Sequence, residues 1–206
     1  TCGGYNIGIG TEALRTNSTG SSNVGIGFLS MYLNSTGDKN TALGACSLYS
    51  NTVGDNNVAV GYHSLLQATT AIQNIAIGQG AQYSNIHGDA NVAIGMQALY
   101  NNKCSYNVAV GDLALNSQTT GDQNTAVGAL ASRYNETGVE NTAVGMYALH
   151  KNTASVNTAV GSSALICNTT GGCNVAMGNS ALRKNCAGSF NIGIGSLAMC
   201  ANSSGC

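Results

Sequence analysis

The chain has 206 residues with a formal net charge of −1, and only 7% of its residues are charged, against roughly a quarter in ordinary globular proteins. Gly is abundant at 28 residues, Pro and Trp are absent and Phe occurs twice, which excludes a large aromatic core. Lys and Arg are scattered along the chain, so no basic stripe is expected for nucleic acid and no polybasic segment for a membrane, and Asn, Thr or Gly breaks every apolar run before the roughly 18–20 residues a spanning helix needs.

The first predicted element, Asn6-Ile-Gly-Ile-Gly10, opens a repeat that governs everything after it. The pattern Asn, β-branched residue, Ala or Gly, aliphatic residue, Gly begins at Asn6, Asn23, Asn40, Asn57, Asn74, Asn91, Asn107, Asn124, Asn141, Asn157, Asn174 and Asn191. Successive spacings are 17 residues, with 16 only after Asn91 and Asn141. Counting each of these asparagines as position 0, position 2 is always Ala or Gly, position 4 always Gly and position 7 always Ala or Ser. Position 8 is Leu or Met except at Gln82 and Ser132, a second Asn recurs at position 11, and Gly follows at position 14 in most coils.

Three residues of branched, small and aliphatic character between Asn and Gly form a strand signal, and the turn residues return too soon for a helix. Seventeen residues cannot enclose their own apolar face, so the coils must stack on one another. The predicted fold is therefore all-β: a parallel β-solenoid, or β-roll, of twelve coils of about 17 residues with two short strands per coil, as a single tandem-repeat domain over residues 1–206. Period two puts positions 1 and 3 on one face of the strand, and this aliphatic face is the expected interior, meeting position 8 across a thin core. The reverse arrangement, with small residues inside and aliphatic rows outside against other chains, is the alternative.

The elements Asn124 to Gly128, Asn141 to Gly145 and Asn157 to Gly161, each followed by a small residue and Leu, resemble the head repeats of trimeric autotransporter adhesins and related phage or viral tail-fibre repeats. The resemblance implies a left-handed parallel β-roll that trimerises and binds host surfaces. This chain departs from the adhesin pattern in its longer coil, its eight cysteines and its lack of a stalk, anchor or neck motif.

Candidate sites follow from the rows. The cysteines show no CxxC pair or zinc spacing and point to disulfides in an oxidising compartment, hence an extracellular home. Cys2 and Cys206 occupy neighbouring phases of one turn edge and could crosslink successive subunits, while Cys167, Cys186 and Cys200 could staple neighbouring coils. Five glycosylation sequons, Asn17, Asn34, Asn135, Asn168 and Asn202, all fall at position 11, where ordinary turn chemistry explains the same residues. Tyr32, Tyr49, Tyr83 and Tyr100 share position 9, as a stripe that could bind sugar or simply pack, and Asp38, Asp55, Asp89 and Asp122 share position 15 as a thin ligand set for a cation. Thr41, Thr125, Thr142 and Thr158 at position 1 form an incomplete threonine ladder of the ice-binding kind.

His63, His87 and His150 form no row with a carboxylate or nucleophile, and the GxGxxA strings at Gly8 to Ala13 and Gly193 to Ala198 lack a βαβ setting, so no enzyme, cofactor or metal is expected. The first and last strands are near-copies of each other and of the interior. The expected function is a structural subunit of an extracellular fibre that assembles head to tail by continuing the ladder, with itself as partner; a trimeric adhesin or tail-fibre segment that binds a surface glycan is the alternative.

Overall fold

The computed structural model describes residues 3–205. The protein is a parallel β-solenoid with one three-residue strand per coil and, among the described residues, no helix. It divides into two compact units, Thr1–Ser105 and Tyr106–Cys206. The first carries β1 (Ile7–Ile9), β2 (Val24–Ile26), β3 (Thr41–Leu43), β4 (Val58–Val60), β5 (Ile75–Ile77) and β6 (Val92–Ile94). The second carries β7 (Val108–Val110), β8 (Thr125–Val127), β9 (Thr142–Val144), β10 (Thr158–Val160), β11 (Val175–Met177) and β12 (Ile192–Ile194).

Within each unit successive strands pair in parallel with like over like: Ala59 lies over Ala42 and Ala76 in the first, Ala143 over Ala126 and Ala159 in the second. The 16-residue coil from Asn141 keeps this register because its missing residue is taken out of a turn. Asn124 Nδ2 reaches the carbonyl of Gly138, 14 residues on, whereas Asn141 Nδ2 reaches that of Ala154, 13 residues on.

The interior is the reverse of the one expected. Position 2 is enclosed (Ala42, Ala59, Ala76, Ala126, Ala143, Ala159 and Ala176 are all fully buried), while positions 1 and 3 point outward and are half-buried or exposed. Two asparagine rows decide the matter, because position 0 shares the face of position 2 and its amide must find partners inside. Asn57 donates through Nδ2 to the carbonyl of Ala71 at 2.7 Å, and its Oδ1 accepts the backbone N–H of Asn74 at 3.0 Å. The position-11 row grips the same carbonyl row from the other side: Asn51 Nδ2 donates to Gly54 O at 2.9 Å and to Asn34 Oδ1 at 2.7 Å. With both amide rows and the Leu row at position 8 inside, only Ala or Gly fits at position 2. A Cβ on Gly25 would lie 3.2 Å from Leu14 Cγ.

The second side of the coil is not a strand. Leu14, Met31, Leu48 and their equivalents at position 8 adopt φ between 47° and 55°, the left-handed region, and the position-6 residues do likewise. This conformation costs about 1–2 kcal/mol per non-Gly residue, and inter-coil hydrogen bonds offset it: Leu14 N–H donates to Ser30 O at 3.0 Å and Leu29 N–H to Thr11 O at 3.0 Å. Position 4 turns the corner between the two sides with φ of 119–137° in every coil. Only Gly serves there, since a Cβ on Gly44 would also meet the Gly61 carbonyl oxygen at 2.7 Å.

Candidate interaction surfaces

With the small residues inside, each unit presents an outward strand face of Val, Ile, Thr, Leu and Met in which no position carries a charge. Ile75 and Ile77 are 38% and 37% exposed, and Leu43 46%. Thr125, Thr142 and Thr158 stand side by side on β8, β9 and β10 in register, half-buried, while the position-1 neighbours of Thr41 are Val24 and Val58.

The sequon asparagines are part of the interior. Asn34, Asn135 and Asn168 are fully buried, and the nitrogen that would carry a glycan is a hydrogen-bond donor in each: to Gly37 O, Gly138 O and Gly171 O. Asn17 and Asn202 are half-buried and donate in the same way, to Gly20 O and Asn185 Oδ1. A glycan at Asn34, Asn135 or Asn168 would have to displace a buried hydrogen bond inside the coil.

The tyrosines at position 9 stack in pairs, so that each uses one ring face on its neighbour. Tyr32 stacks on Tyr49 at 5.2 Å and Tyr83 on Tyr100 at 4.9 Å, and Arg15 covers Tyr32, with its Nη1 donating to the Tyr32 hydroxyl. Tyr62 and His63 stack at 3.7 Å beside Tyr83. Three of the four aspartates bond to backbone in the adjoining coil. Asp38 Oδ1 accepts Ser21 N–H, Asp55 Oδ1 accepts Asp38 N–H and Asp89 Oδ1 accepts Ile72 N–H, at 2.6–2.8 Å. Ser155 and Ser189 serve the same position by accepting from Val139 and Gly172. Among the described residues no group of three or more His, Cys, Asp or Glu side chains could hold a metal ion. No family model matches this chain, and no curated protein or solved structure does either.

Cys46, Cys167, Cys173, Cys186 and Cys200 carry free thiols, with Cys173 and Cys186 exposed. Burial raises the pKa of the Cys46 thiol. The crosslink expected between Cys2 and Cys206 lies outside the described residues. His87 bonds to the Thr70 hydroxyl, and His150 uses Nδ1 toward Leu130 O.

One grouping was missed in the sequence. Arg133, Lys151, Arg183 and Lys184 look scattered along the chain, but they occupy positions 9 and 10 of the coils that begin at Asn124, Asn141 and Asn174 in the second unit, so the fold gathers four of the seven cations on one edge, with Ile166 and Cys167 in the coil between. Tabulating charges by position in the repeat, rather than along the chain, would have found it. Dispersal along the sequence thus becomes a cluster at two positions of the repeat, interrupted by the one coil that holds Ile166 and Cys167.

Proposed function

We propose that the chain is the structural subunit of an extracellular fibre, non-catalytic, with further copies of itself as its partner. The reading is supported by one observation above others: β1 and β12 pair with their neighbours in the same parallel register as the interior strands. The next coil on either edge can thus be supplied by any chain that carries the motif, including another copy, and such a head-to-tail contact does not close. The invariant amide rows would continue through the junction, since Asn6 Oδ1 accepts Asn23 N–H as Asn174 Oδ1 accepts Asn191 N–H, both at 2.9 Å. Electron microscopy of the purified chain across a concentration series tests this. Filaments that lengthen with concentration are expected; particles of one fixed length at all concentrations would refute it.

A second reading is favoured by the outward aliphatic rows. An uncharged face of Val, Ile and Leu suits lateral packing against like faces, and together with the resemblance of Asn124 to Gly128 and its equivalents to adhesin head repeats it supports a trimeric adhesin or tail-fibre segment that binds a surface glycan or receptor. Light scattering separates the two, because this reading requires a discrete three-chain mass.

A further inference from the structure

The basic edge of the second unit points to a ligand of its own. Arg133 and His150 lie at position 9 of consecutive coils, joined by the backbone bond from Tyr134 N–H to His150 O at 3.1 Å, and Lys151 is the next residue. Arg183 and Lys184 hold the same two positions two coils further on. At about 4.8 Å per coil, the cations span roughly 14 Å along the edge. None of them is neutralised: among the described residues Arg133, Lys151, Arg183 and Lys184 make no ion pair, whereas Arg15 pairs with Glu12 at 3.1 Å. Residues 141–206 contain no Asp or Glu at all, and Glu136, the nearest carboxylate in sequence to Arg133, is an exposed residue that leaves its cation unpaired.

The edge is also shaped. The Arg133 guanidinium lies over the Tyr134 ring at 5.0 Å with its Nε buried and lacking a hydrogen-bond partner. His150 meets Tyr134 and Tyr147 edge-on at 5.0 and 5.1 Å. Aromatic rings thus hold Arg133 and His150 in place, while Lys151, Arg183 and Lys184 are exposed.

We propose that this edge binds a linear sulfated polysaccharide. A sulfate ester stays ionised and offers three acceptor oxygens, which suits the paired donors Arg183 with Lys184 and Arg133 with Lys151 better than the two oxygens of a carboxylate. Tyr134, 42% exposed, adds an apolar surface that a sugar ring can lie against. Duplex DNA fits less well, because its binders commonly neutralise some 6–10 phosphates and this edge has four permanent cations on a chain of net negative charge. The surface is separate from the strand face and from the coil edges, so the proposal holds for a single chain or a fibre alike.

The test is calorimetric titration of the full chain with heparin at 50 and 200 mM salt, with hyaluronate and duplex DNA as comparison ligands. Heparin is expected to bind and to weaken with salt. The exposed pair R183A/K184A should lose about tenfold in affinity, and its salt dependence should flatten by roughly 1.5 in log–log slope, at about 0.7–0.9 per lost charge contact. K39A/K103A removes the same charge elsewhere and should bind heparin within about twofold of the parent. An equal loss in both variants, tighter binding of hyaluronate or DNA, or no heparin binding would each overturn the proposal.

Discussion

Asn85 donates through Nδ2 to Gln82 Oε1 at 3.0 Å, and this bond replaces the one that Ala68 cannot accept. In Asn34, Asn51, Asn168 and Asn185 the position-11 asparagine donates to its equivalent one coil earlier, as Asn168 does to Asn152 at 2.7 Å. Ala68 interrupts that row, and the interruption leaves Asn51 Oδ1 buried without a partner. The two departures from the repeat, a small residue at position 11 and a polar one at position 8 of the next coil, therefore compensate each other. Gln118 and Ser132 make the complementary exchange of large for small, although Gln118 Oε1 and Ser132 Oγ both remain unbonded.

Restoring the consensus at both sites should stabilise the fold. Ala68→Asn with Gln82→Leu returns a partner to Asn51 Oδ1 and an aliphatic side chain to the Leu row, for a gain of about 1–2 kcal/mol. The urea midpoint should rise for the double variant. It should fall for Ala68→Asn alone, where the added amide crowds Gln82.

The orientation of the strands has a direct test in two adjacent residues. Ala76 is fully buried and Ile77 is 37% exposed, so Ala76→Leu overfills the coil and should cost about 1–3 kcal/mol or more, while Ile77→Ser should cost under about 1. The opposite ranking in chemical denaturation would mean that the aliphatic rows are the core. Ile77→Asp, which should leave the coil folded, is also the variant that weakens lateral association on this face.

How much of this could be read in the sequence depends on the kind of constraint. The period, the parallel register and the strand positions were legible, because a three-residue strand bounded by Asn and Gly repeats without exception. The buried face was not, since branched residues favour both pleated surfaces and cores. The sequence did carry the deciding signal: position 2 tolerates only Ala or Gly, position 1 admits Thr41 and Thr125, and an invariant Asn such as Asn57 shares the face of Ala59. Steric intolerance marks the interior better than hydrophobicity does in so thin a coil. The second strand was misread because Leu has no preference for the left-handed region that Leu48 and Leu65 adopt, and only the finished ladder holds them there.

Glycosylation offers a plain check on the asparagine interior. Secreted from a host that glycosylates Asn-x-Ser/Thr, the folded chain should carry no glycan at Asn34, Asn135 or Asn168 in peptide mass mapping before and after endoglycosidase treatment, because their Nδ2 atoms are buried donors. Occupancy at any of these three sites in material that retains its far-ultraviolet dichroism would contradict the inward position-11 row.

Thiol reactivity should rank with exposure. Cys173 and Cys186 are exposed, and Cys46 has a pKa raised by burial, so at neutral pH it holds less thiolate and should react with iodoacetamide more slowly than either. The sign fixes the pH dependence. Raising the pH toward the elevated pKa increases the Cys46 thiolate, so its labelling rate should climb with pH; mass-resolved labelling at two pH values reads it out.

The position-0 amides carry the last and largest expected effect. Asn57→Ala removes the donor to Ala71 O and the acceptor for Asn74 N–H, leaving two buried backbone groups unpaired at about 1–3 kcal/mol each. Asn56→Ala, one residue earlier on an exposed side chain in the left-handed region, changes only local backbone preference and should cost far less. Stability in a repeat array is a sum of coil terms and nearest-neighbour terms, so the damage from Asn57→Ala should centre on the coils of β3 to β5. Hydrogen exchange should therefore quicken at Val58 and Ile75 before it does at Val24. Uniform loss of protection across the first unit would instead mean that the coils unfold as one body and that the ladder transmits the defect along its length.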